Sequence, residues 1–243
     1  MINILIPMAG AGSRFAKAGY EKPKPFIDVF GMPMIKHVVD NIGIDGQYIF
    51  IVQKQHLKEY PYMKKQLMNL KSNVQIVAID ELTEGAACTC LLAKDLINNN
   101  DPLLICNSDQ WVDWDPNHFI KFVRSKKAAG AIPYFLSDSP KHSYSKIDFD
   151  KGVITRVAEK QVISNFATVG IYYWAKGSQF VDCAETMVSN NVRLNGEFYI
   201  CPVYNILIRR GKVIPYPVYE MRGMGTPEEL EKFKALWKGD GNI

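Results

Sequence analysis

"LIPMAGAGSRF" (residues 5–15) runs from an apolar segment into a turn of small residues and ends on one arginine. Glycines let a backbone approach a phosphate and turn its N–H groups toward it. Strand, small-residue loop and positive charge together suggest a phosphate cradle; the plainer alternative is a tight strand-to-loop turn. The residue types narrow the choice. A dinucleotide fingerprint needs a third glycine where Phe15 stands, and a phosphate-binding loop of the Walker type needs Gly-Lys-Ser/Thr, which does not follow. Ser13 lies outside any Gly-x-Ser-x-Gly elbow, which argues against hydrolase chemistry.

Working outward, strand-like runs alternate with amphipathic stretches up to residue 136. The strands are expected at 2–8, 48–53, 74–79, 103–107 and 130–136. Helices are expected at 33–42, 55–70, 86–98 and 116–128, with Pro61 breaking the second and Thr83 capping the third. This alternation predicts βαβ units and a mostly parallel sheet. The strands lack polar alternation, as when both sheet faces are covered. Beyond 136 the pattern changes. Residues 144–160 read as a hairpin around Asp150-Lys151-Gly152, 166–175 as a strand, and 177–190 and 197–210 as helices. Two prolines make 212–218 an edge strand, and Thr226-Pro227 starts a last helix.

The 243 residues carry 29 basic and 25 acidic side chains, a net charge of +4. No basic run argues for nucleic acid, and no apolar run of ~20 residues for a membrane span. The start lacks a signal-peptide pattern. Five scattered cysteines suit a reduced, cytoplasmic protein, and Cys88 and Cys90 are too close on a helix to share zinc. His37, His56, His118 and His142 show no spacing for a metal or a triad.

Several polar residues stand where chemistry is expected. Lys22 and Lys24 lie among prolines, on a stiff segment that could offer a point charge to a polyphosphate or be a solvated loop. Asp109 closes an apolar strand at its C-terminal end, where α/β sheets bind ligands. A hard carboxylate there suits Mg²⁺; capping a loop is the alternative. Asp113 and Asp115 are read as unrelated to it.

"MAGAGSRF…KPKPFIDVFGMPMIKHVVDNI" (8–42) resembles the N-terminal signature of the sugar-nucleotide nucleotidyltransferases, and the likeness continues in the family's order. "TEGAACTCLLA" (83–93) is similar to the base-contacting segment. "LLICNSDQWVD" (103–113) resembles the strand carrying a metal-binding Asp. "VAEKQVISNFATVGIYYW" (157–174) and "NGEFYICPVYNILIRRG" (195–211) resemble sugar-site segments, and "GMGTPEELEKF" (223–233) the terminal helix start.

The resemblance implies a Rossmann-like, GT-A-like three-layer α/β sandwich with a mostly parallel central sheet and a small antiparallel subregion. It implies one domain over 1–243, with a nucleotide-binding half (1–136) and an acceptor-binding half (137–243). The implied reaction, of EC 2.7.7 type, joins an NTP to a sugar 1-phosphate or similar phosphorylated metabolite and releases pyrophosphate. Surface polysaccharide synthesis is the implied setting. By the same resemblance Arg14 and Lys24 are catalytic. Met8, Ala9, Gly10, Ala11, Gly12, Ser13, Gly85 and Ala86 bind the nucleotide, a pyrimidine by preference. Glu159, Lys160, Gly170 and Glu197 bind the acceptor, and Asp109 holds Mg²⁺. The oligomeric state is left open, a homo-oligomer included.

One position departs from the pattern. Many relatives carry Asp or Asn two residues before the terminal Gly-Thr as a second metal ligand, and here Gly223 stands there. Either Asp109, phosphates and water suffice, or Glu197 or another carboxylate contributes. Two rival readings remain at this level. Asp113-Trp114-Asp115 spells the D-x-D of a GT-A glycosyltransferase, and Gly223 suits a non-catalytic sugar-phosphate-sensing domain.

Overall fold

The computed structural model describes residues 1–239. Strands β1 (Asn3–Pro7), β2 (Asp28–Val29), β3 (Met32–Pro33), β4 (Gln47–Gln53) and β5 (Val74–Ile79) alternate with helices α1 (Ser13–Lys17), α2 (Met34–Ile42), α3 (Lys54–Glu59) and α4 (Tyr62–Met68). Helices α5 (Ala86–Leu91), α6 (Lys94–Ile97) and α7 (Pro116–Ser125) surround β6 (Leu103–Cys106) and β7 (Gln110–Asp113). Next come β8 (Gly130–Leu136), β9 (Tyr144–Asp148), β10 (Val153–Ala158), β11 (Phe166–Thr168) and β12 (Ile171–Trp174). Helices α8 (Gly177–Ser189) and α9 (Tyr204–Leu207), strands β13 (Val213–Pro217) and β14 (Glu220–Gly223), and helix α10 (Pro227–Gly239) complete the order.

Ten strands form one mixed sheet. Its first part, β5-β4-β1-β6, is parallel. Antiparallel strands β12, β8, β11, β9 and β10 extend it, with β13 parallel to β8 at an edge. Alternate residues of one strand enter opposite cores. Ile4 and Ile6 pack on one face with α2, α7 and α10, while Leu5 packs on the other with α5, α8 and α9. Both faces are therefore covered, which explains strands that are apolar at every position.

Some boundaries differ from the sequence reading, each for a local reason. The 55–70 and 86–98 segments are each split into two short helices, the first at Pro61 as expected. Residues 166–174 form two strands, because Gly170, at φ +72°, lets β11 pair with β9 and β12 with β6. The 197–210 segment is helical only from Cys201, in a 3-10 turn and α9. Ahead of it, Phe198 spends its backbone elsewhere: its N–H donates to Glu84 O, and its carbonyl accepts from Ala87 N–H. Thr83 does not cap α5. Its hydroxyl donates to Gly85 O at 2.9 Å, and Gly85 itself precedes the helix. Thr226 does cap α10, accepting from Glu229 N–H at 3.2 Å.

Trp174 on β12 is fully buried, its ring 5.3 Å from Phe180 of α8 and 4.3 Å from Tyr204 of α9. Trp174→Ala is expected to cost about 3–5 kcal/mol in urea-induced unfolding, through the cavity it leaves.

Candidate active site

The loop after β1 is held from below. Gln53, the last residue of β4, donates its side-chain amide to Ala9 O at 2.9 Å and Gly10 O at 3.3 Å. Met8 N–H donates to Ile51 O, and Phe15 N–H to Gly12 O. Among the described residues, the N–H groups from Ala9 to Arg14 donate to nothing. Gly12, at φ +60°, makes the turn between the two anchored ends. With its carbonyls pinned, the loop presents a row of amide donors, which is what an anionic ligand needs.

Two pockets flank this loop. The smaller, about 300 Å³, is lined by Met8, Ala9, Gly10, Ala11, Gly85, Ala86, Ser108, Glu197, Tyr199 and Lys24. The larger, about 800 Å³, is lined by Arg14, Asn107, Asp109, Gln110, Lys141, His142, Lys160, Glu228, Glu229 and again Lys24. Lys24 thus belongs to both, and its ammonium donates to Asp109 Oδ2 at 2.7 Å. The segment after β6 divides its side chains between them: Asn107 and Asp109 face the larger pocket, Ser108 the smaller.

Gly85 joins the wall of the smaller pocket to the second half of the chain. A Cβ there would lie 2.5 Å from both N and O of Phe198. The same contact is clamped from outside by Arg193, which bonds Glu84 at 2.8 Å and lies 4.2 Å over the Phe198 ring.

Four residues expected to bind an acceptor are dispersed. Lys160 lines the larger pocket and donates to the Tyr199 hydroxyl at 2.7 Å, while its charge also acts on Glu159. The Glu159 carboxylate turns inward and accepts from Ser143, a buried hydroxyl. Burial pushes its carboxyl above the usual range, with the Ser143 hydrogen bond opposing. Gly170 stands behind the wall: a Cβ there would meet Gln110 Oε1 at 1.8 Å and Asn107 Nδ2 at 2.4 Å. It makes room for two lining side chains. Glu197 lines the smaller pocket with the nucleotide-side residues and not the larger one. Ser13 is exposed and lines neither.

Sequence reading did not single out Asn107, Gln110, Lys141, His142, Tyr199 or Glu229. His142 carried no spacing signal because its neighbours arrive from other elements. Burial lowers its pKa, with Glu229 raising it in opposition. Asp113 and Asp115 line neither pocket. Asp115 caps α7, accepting from His118 N–H at 2.9 Å, so the D-x-D pattern is accounted for locally.

The model of the nucleotidyl transferase family matches residues 4–196. The catalytic subunit beta of mannose-1-phosphate guanylyltransferase from Dictyostelium discoideum is 27% identical over 180 residues, which cover 70% of this chain and 49% of that protein. The chain spans about half the length of the curated relatives it matches. Among solved structures, a nucleoside-diphosphate-sugar pyrophosphorylase from Vibrio cholerae RC9 superposes with a TM-score of 0.80 at 24% identity, covering 96% of this chain and 99% of that one. A UDP-glucose pyrophosphorylase complexed with UDP-glucose gives 0.79 at 17% identity, covering 99% and 100%. At these identities the structural likeness is one of fold.

Gly85→Ala should destabilise the protein by about 3 kcal/mol in urea unfolding, since it adds both a clash with Phe198 and strain at φ +129°. Glu159 yields a pH prediction. Its folded pKa is raised, so its contribution to stability is full below the unfolded carboxylate value and is lost as pH rises through the folded value. Glu159→Gln keeps an acceptor for Ser143 and removes the titration. Its melting temperature relative to the parent should therefore climb between pH 4 and 7; a constant difference would contradict this assignment.

Proposed function

Because the chain belongs to the nucleotidyl transferase family, we propose that it transfers a nucleotidyl group from an NTP to a sugar 1-phosphate or similar phosphorylated metabolite. The observation that carries this reading is Lys24, shared by a nucleoside-sized pocket and a second, cation-rich one. A nucleoside in the smaller pocket has its α-phosphate at that shared wall, and an acceptor phosphate in the larger pocket reaches it from the far side. An acceptor oxygen attacks the α-phosphorus in line, the bond to the bridging oxygen breaks, and pyrophosphate leaves carrying the electron pair.

The protein's part is alignment and charge neutralisation. The loop amides from Ala9 to Arg14 cradle the triphosphate. Arg14 lines the larger pocket and stabilises the departing pyrophosphate, for which a guanidinium is suited. Lys24 neutralises charge between donor and acceptor, and Lys160 receives the acceptor phosphate. The base lies beside Gly85 and Ala86 in the smaller pocket, and a pyrimidine is the base we propose for it.

Mg²⁺ belongs to this reading, and the donor set fits it. Asp109 Oδ2 faces the hollow left by Gly225, where a Cβ would lie 2.9 Å away, and a cation, the Lys24 ammonium, already sits on that oxygen. When bound, the ion neutralises phosphate charge. Synthesis of surface polysaccharide precursors in the cytoplasm completes the proposal. Five free cysteines support a reducing compartment, and no described helix is long and apolar enough to cross a membrane.

The test is pyrophosphate release from CTP, UTP, dTTP and GTP, each paired with a panel of sugar 1-phosphates, with and without Mg²⁺. Release with a pyrimidine NTP and Mg²⁺ is expected. Silence with every pair would overturn the transferase reading. Arg14→Ala should lower turnover about 100-fold, and an unchanged rate would remove Arg14 from the mechanism.

A further inference from the structure

We propose that Glu229, in the first turn of α10, supplies the second protein carboxylate for the divalent cation in place of the acid missing at position 223. The proposal rests on the metal-dependent reading above and deepens it.

The geometry begins with the strand end. Strand β14 pairs with β7 so that Gly223 lies opposite Gln110, the neighbour of Asp109. Met224 N–H donates to Asp109 O at 2.7 Å and locks the two segments together. A Cβ at Gly223 would lie 3.3 Å from Glu229 Oε2. One at Gly225 would lie 3.4 Å from the same oxygen and 2.9 Å from Asp109 Oδ2. Two glycines therefore leave a hollow, and two carboxylates from distant parts of the chain converge on it. Glu229 crowds the space that an acidic side chain at 223 would enter.

Glu229 is also spared the local duty of its position. Three residues after a Thr cap, a Glu ordinarily turns back to the cap's own N–H. Here Glu228 engages the start of the helix: hydrogen bonds from its own N–H and from the Thr226 hydroxyl hold its carboxyl below the usual range. The Glu229 carboxylate has no hydrogen bond or ion pair among the described residues, and it lines the larger pocket. Two like charges on one hollow repel unless a cation lies between them. Lys24 is ion-paired with Asp109, while Glu229 acts on the neighbouring His142, and Arg14, Lys141 and Lys160 line the same pocket without an ion pair to either carboxylate among the described residues. A dication with oxygen ligands at about 2.1 Å would answer both, with phosphate and water filling its remaining positions. Glu197 cannot share this role, since it lines the smaller pocket and not the larger.

The experiment is Mn²⁺ titration of the full chain, read by the electron paramagnetic resonance signal of free Mn²⁺. The parent should bind Mn²⁺. Glu229→Gln and Asp109→Asn should each weaken binding by about tenfold or more. Adding Gly223→Asp to Glu229→Ala should restore it, because the new acid enters the space that truncation at 229 vacates. Thermal melts in the absence of metal establish that each variant is folded. Equal Mn²⁺ affinity in the parent and Glu229→Gln would overturn the role of Glu229 and leave the metal reading standing. A folded double variant with no recovery would also count against it. A parent that binds no Mn²⁺ would remove the metal reading itself.

Discussion

The contact on which the site depends is the ion pair between Lys24 and Asp109. The two residues are 85 positions apart and meet at 2.7 Å, both only partly exposed. Lys24 arrives on a proline-flanked 3-10 turn after the glycine loop, Asp109 in the segment between β6 and β7. Their meeting point is the wall between the two pockets. A partly buried pair at this spacing is screened less by solvent and salt than a fully exposed one. It fixes the Lys24 ammonium at the wall shared by the two pockets. That is economical for chemistry that consists mainly of positioning and neutralising charge.

Around that pair, missing side chains matter as much as present ones. Gly85 admits the backbone of Phe198 and thereby joins the wall of the smaller pocket to the second half of the chain. Gly170 admits Asn107 and Gln110 into one wall. Gly223 and Gly225 leave the hollow on which Asp109 and Glu229 converge. In each case a Cβ would meet an atom at 1.8 to 3.3 Å. The site is therefore shaped by close approach of backbone to neighbouring groups, a constraint that acts whatever ligand is bound.

Glycine at 223 reads differently once the fold is known. In the sequence it is a lost acid and an argument for a domain without catalysis. In space, the position is covered by Glu229 from the next helix. A charge can move from one element to another when the two elements face the same hollow. The replacement lies six residues along the chain from the vacancy, and only the turn from β14 into α10 brings the two together.

The alternation of apolar runs and amphipathic stretches was sufficient for the α/β architecture, because both faces of a covered sheet must be apolar and helices carry one apolar stripe. The glycine turn and the placement of Lys24 and Asp109 close to it were legible from neighbouring residues, although β6 ends at Cys106 and Asp109 lies three residues beyond it, where the sequence had it closing the strand. The roles of Glu159 and Gly170 were not legible. Adjacent residues such as Glu159 and Lys160 can face opposite ways, and burial beside Ser143 turned one inward. His142 carried no motif, and Tyr199 and Glu229, though inside quoted segments, drew no role there, since what places them is a neighbour across the cleft. Sequence by itself determined the alternation of strands and helices and the small-residue turn after β1, through local sterics and periodicity. Tertiary structure decided which charges meet, because Coulombic attraction depends on distance in space and is indifferent to distance along the chain.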